Sequence, residues 1–85
     1  MTLKEVEREL KEIYEERKKW DGGKGPFTSD EIKRRELILI KQGFLYQLEE
    51  AIKGKDKNKK EFLLEILEII NKWLKILKEA KNVEI

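Results

Sequence analysis

Apolar residues recur along this chain at three- and four-residue intervals, the spacing of one face of an α-helix, in three separate segments. In the first, Leu3, Val6, Leu10, Ile13, Arg17 and Trp20 form a narrow seam suited to a single groove. The second is apolar on nearly every side. Leu37, Ile40, Phe44, Leu48 and Ala51 make one stripe, Ile38, Leu45 and Ile52 make another beside it, and Lys41 falls between the two. Ile32, Leu39, Gly43 and Tyr46 lie on the opposite side, flanked by Glu36 and Gln47 and by Arg35, Gln42 and Glu49. In the third segment two seams run side by side, one through Phe62, Ile66, Ile69, Trp73, Ile76 and Ala80, the other through Leu63, Leu67, Ile70, Leu74 and Leu77. A helix with two seams meets two neighbours, and one with three apolar strips must be surrounded.

The boundaries carry their own signals. Thr2 with Glu5 matches the Thr-x-x-Glu capping box, in which the two residues satisfy orphan backbone donors of a helix start. Asp21 to Phe27, DGGKGPF, cannot continue a helix. Thr28 with Glu31 repeats the box, and Phe27 with Ile32 stand at the two positions of a hydrophobic staple. The second helix stops at Gly54, and Lys53 to Lys60, KGKDKNKK, is a loop. Asn58 with Glu61 gives a third start, with Asp56 an alternative cap. Residues 1–85 therefore form a single all-α domain with helices about 2–20, 28–53 and 58–81. Short connections make a three-helix bundle with antiparallel neighbours, completed by self-association or by a partner.

Composition narrows the chemistry. Cysteine and histidine are both absent, which removes disulfides, thiolate nucleophiles, imidazole bases and the commonest zinc ligands together. No cofactor is implied. The charged residues amount to 45% of the chain, yet the formal net charge is only +2, so the balance does not call for nucleic acid or a membrane surface. MTLKEVEREL is charged from its start and unlike a signal peptide, and no segment reaches the roughly 18 apolar residues of a membrane span, so a soluble, cytoplasmic protein is expected. Abundant Lys and Glu fit either a hyperthermophile protein or a computationally designed bundle. In its capping, patterning and composition the chain resembles small helical-bundle binding modules and designed miniproteins.

The candidate sites follow from what the helices do not bury for themselves. The carboxylates all have plain surface positions, and Tyr14 and Tyr46, at helical spacing with apolar neighbours, are expected in the core or a seam. Arg8, Arg17, Arg34, Arg35 and Lys41 could bind an anion, as inward cations do in the helical chorismate mutases, but no motif of that family lines up. Lys24 precedes the last Gly of its loop, so the segment lacks the G-x-x-x-x-G-K-[ST] order of a phosphate loop. A non-enzymatic interaction module is the expectation, a homo-oligomer or a binder of another protein, with Ile32, Leu39, Gly43, Tyr46 and Lys41 at the contact. Gly43 would allow another backbone to approach closely. Lys41 would either pair across the interface or lay its stem over Ile38 and Leu45 with its ammonium in water. The alternative is a small basic nucleic-acid-binding protein whose Lys53, Lys55, Lys57, Lys59 and Lys60 contact phosphates; no aromatic residues are interleaved there to stack on bases.

Overall fold

The computed structural model describes residues 1–21 and 29–83. The chain is all-α: α1 (Leu3–Asp21), α2 (Ser29–Lys53) and α3 (Lys57–Val83), with α2 packed against both α1 and α3. Glu9 of α1 pairs with Lys41 of α2, and Glu16 further along α1 pairs with Arg34 further back on α2, so these helices run antiparallel. On the other side, Leu37 and Ile40 face Trp73, Ile76 and Leu77, while Ala51 and Ile52 lie by Lys60, which makes α2 and α3 antiparallel too. Among the described residues α1 and α3 make no close backbone contact; each leans on α2. The molecule measures 45 × 25 × 16 Å.

The core lies where both contacts meet α2. Val6 and Ile13 of α1, Ile38, Leu45, Leu48 and Ala51 of α2, and Leu63 and Leu67 of α3 are buried in one cluster, with Leu10, Trp20, Phe44, Ile52 and Leu74 partly buried against it. Fully burying a Leu or Ile side chain contributes about 1.5–3 kcal/mol, which is how a helix of modest intrinsic propensity is held. The buried residue that apolar spacing does not anticipate is Gln42. Its side-chain carbonyl accepts from Arg17 Nη1 at 2.8 Å, so the one polar position in the α1 seam meets the one polar position buried on α2.

The helix ends are closed by specific hydrogen bonds. Thr2 Oγ1 accepts from the Glu5 backbone N–H at 3.3 Å and donates to the Glu5 carboxylate at 3.2 Å. Beyond α2, Lys55 N–H donates to the Ile52 carbonyl and Asp56 N–H to the Ala51 carbonyl, the Schellman arrangement, with the left-handed position filled by Lys55 at φ 56° while Gly54 precedes it. Asp56 then caps α3, its Oδ1 accepting from Lys59 N–H at 3.1 Å. The Asn58 start proposed from spacing is thus two residues past the cap, the second residue of α3. Asp56 wins because the Schellman turn already places it where the first N–H groups of α3 point. Thr28 and Phe27, the other proposed cap and staple, lie outside the described residues.

Candidate interaction surface

Along α3 the two seams meet different fates. Leu63, Leu67 and Ile70 are buried on the α2 side, with Leu74 and Leu77 half-buried behind them. Phe62, Ile69, Trp73 and Ile76 of the other seam are each more than half exposed, and Ile66 between them is half-buried. Taking an aromatic side chain as about 200 Å², the exposed four present on the order of 500 Å² of apolar surface, near the top of what a monomer usually leaves open. The stripe continues onto α2 through Ile40, itself 49% exposed. Leu37, Ile40, Trp73, Ile76 and Leu77, with Lys33 and Glu36 at the rim, line a groove of about 400 Å³ between the two helices.

The outer side of α2 carries a second, shorter apolar strip. Ile32, Leu39 and Tyr46 are exposed together with Gly43, so four of the five contact residues expected from the sequence share one open side. Among the described residues, the adjoining backbone of α2 apart, nothing lies within 4 Å of where a Gly43 Cβ would stand. Exposed Glu36 and Gln47 separate this strip from Ile40 and the α3 stripe. On its far flank Leu39 adjoins Tyr14, Arg17 and Trp20 of α1. Tyr14 and Tyr46, expected in the core or a seam, are 56% and 52% exposed, because among the described residues α1 and α2 leave these outer sides uncovered. Lys18 instead sits 4.5 Å from the Tyr14 ring centroid.

Lys41, the fifth expected contact residue, turns inward. Its ammonium lies 3.3 Å from Glu9 Oε1, and both side chains are largely buried at the cleft between α1 and α3. The Lys53–Lys60 lysines gather at one end of the bundle. Lys53 pairs with Glu49 at 3.5 Å, Lys55 holds the turn, and Lys57, Lys59 and Lys60 occupy the first turn of α3, which has no acidic residue. Cations there oppose the helix dipole.

Among the described residues the α1–α2 contact carries the one shifted titration. Arg34 Nη2 donates to Glu16 Oε1 at 2.7 Å and Nη1 approaches Glu31 at 3.4 Å. The hydrogen bond from Arg34 holds the Glu16 carboxyl below its ordinary value, with smaller help from the Arg34 charge, a Trp20 hydrogen bond and Lys19, against the opposing effect of burial. Arg35 stacks its guanidinium 5.0 Å from the Trp20 ring centroid. This network joins α1 to α2.

The sequence showed the two seams of α3 but not which would be free; that choice depends on how α2 is rotated. Among the described residues no three carboxylates converge to hold a metal, and no helix is long and apolar enough to cross a membrane. Comparison with protein-family models, curated proteins and solved structures found no match for this chain.

Proposed function

We propose that the chain is a non-enzymatic helical interaction module whose working surface is the outer stripe of α3, extended by Ile40 of α2. The observation that carries this reading is the exposure of Phe62, Ile69, Trp73 and Ile76 at heptad spacing, beside a groove wide enough to seat the side chains of a further helix. Exposing such a stripe works against solubility, and a chain whose remaining surface is densely charged has little other reason to keep it. The strip through Ile32, Leu39 and Tyr46 is smaller, crossed by Gly43 and bordered by charge, and stands second.

The test pairs solution mass with binding of an apolar dye such as anilinonaphthalene sulfonate. Either the chain assembles, or the monomer binds the dye, and the triple variant I69E/W73E/I76E removes whichever is seen while far-ultraviolet circular dichroism keeps its helical signal. A monomer that binds no dye overturns the reading.

A further inference from the structure

The stripe is complementary to itself when reversed. One flank of the exposed seam belongs to α2, through Leu63, Ile70 and Leu77. Between residues 61 and 75 the free flank changes sign: Glu61, Glu65 and Glu68 come first, Lys72 and Lys75 follow, and all are exposed; in sequence Glu79 stands one heptad beyond Lys72. In a parallel second copy the free edge of one stripe would meet the edge that α2 already covers on the other, and its charges would find no partners there. An antiparallel copy sets each half against its opposite.

We propose that the outer stripe of α3 is the contact between two copies of this chain, packed antiparallel about a twofold axis, with Glu65 of each facing Lys72 of the other. This rests on the interaction-module reading and specifies its partner. A twofold contact uses the same patch on both subunits, so the patch must complement itself, and an edge that passes from acid at Glu65 to base at Lys72 about its centre does so in one orientation only. The heptad frame fixes the register as well. With Phe62, Ile69 and Ile76 at one core position and Ile66 and Trp73 at the other, the residues preceding Ile66 and Trp73 are Glu65 and Lys72, the edge positions that meet across an antiparallel pair. In that register Ile66 and Ile69 of the two copies fill the centre, and Phe62 lies across from Trp73 at either end. Lys72 at present reaches Glu68 of its own helix at 3.6 Å, with both side chains about 70% exposed. Such a pair holds little, and the ammonium is available to a better partner.

Equilibrium sedimentation of the full chain tests this directly. The wild type is expected at twice its 10.2 kDa mass. E65K and K72E each place like charges at both edge contacts and are expected to raise the dimer Kd roughly tenfold or more. Mixed one to one, the two single variants are expected to associate with each other at near wild-type strength, because every edge contact between them then joins opposite signs; the double variant E65K/K72E is expected to do the same with itself. I69E is expected to leave a folded monomer. A wild-type monomer at millimolar concentration overturns the proposal, and so does a dimer indifferent to both charge reversals or one whose single variants fail to rescue each other. A monomer that still binds the dye through α3 ends the dimer alone and leaves the interaction module standing; one that binds none ends both.

Discussion

Arg34 reaches from α2 to Glu16 of α1 at 2.7 Å, and this is the contact by which acidity should loosen the bundle. Glu16 sits below its ordinary value in the folded chain because Arg34 hydrogen-bonds the charged form. A carboxyl depressed on folding stabilises above its unfolded pKa, and the contribution is lost as the pH falls through the lower, folded value. Both side chains are about a third exposed, so water screens the pair and roughly 0.2–1 kcal/mol is expected. E16Q should therefore be less stable than wild type by that amount in urea at pH 7, with the gap closing as the pH falls through the lowered, folded value. A gap that persists in acid would assign the loss to packing instead.

Arg17 and Gln42 should behave as a unit. R17M leaves the Gln42 carbonyl buried without its donor, and a stranded buried polar group costs about 1–3 kcal/mol. Q42L removes the polar group together with its need, and frees an Arg17 that already reaches solvent. Adding Q42L to R17M should then recover most of the loss. Strictly additive denaturation midpoints across the double-mutant cycle would show that the 2.8 Å bond contributes nothing.

Those two pairs mark the limit of what spacing reveals. The apolar seams, the three helices and their antiparallel order are legible because periodicity follows from helix geometry, whatever the neighbours are. Gln42 is not, since a glutamine reads as surface until an arginine from another helix meets it. Lys41 is ambiguous for the same reason: it interrupts an apolar arc on its own helix, and the Glu9 that explains it lies on another. The free side of α3 is the hardest case. Its two seams are equally apolar, and only the rotation of α2, set by Leu45 and Leu48 in the core, decides which one is covered.

The α2–α3 turn holds stability that substitution could add. Lys55 occupies the left-handed region, where a Cβ costs roughly 1–2 kcal/mol against glycine. K55G should raise the unfolding free energy by about 1 kcal/mol, whereas D56A, which removes the side-chain acceptor for Lys59 N–H, should lower it by a similar amount. K59E places an anion in a first turn that lacks one and should add a few tenths of a kcal/mol, less at high salt. If K55G lowers the midpoint, the Schellman turn is not what ends α2 in solution.

Gly43 separates the two apolar surfaces as candidates for contact. It lies within α2, where glycine costs about 1 kcal/mol relative to alanine, and among the described residues no other part of the chain crowds it. G43A should therefore stabilise the monomer by about 0.5–1 kcal/mol. If assembly runs through α3, the same substitution leaves the dimer Kd unchanged, because Gly43 lies beyond the crest formed by Glu36 and Gln47. If instead another backbone lies against the strip of Ile32, Leu39 and Tyr46, the added methyl group meets it, and the chain gains stability while losing mass in solution. L39E/Y46E distinguishes the same two cases from the other direction: it should spare an α3-mediated dimer and abolish one built on α2. Sedimentation of G43A, L39E/Y46E and I69E side by side thus assigns the contact to one helix, with each variant's helicity as the control for folding.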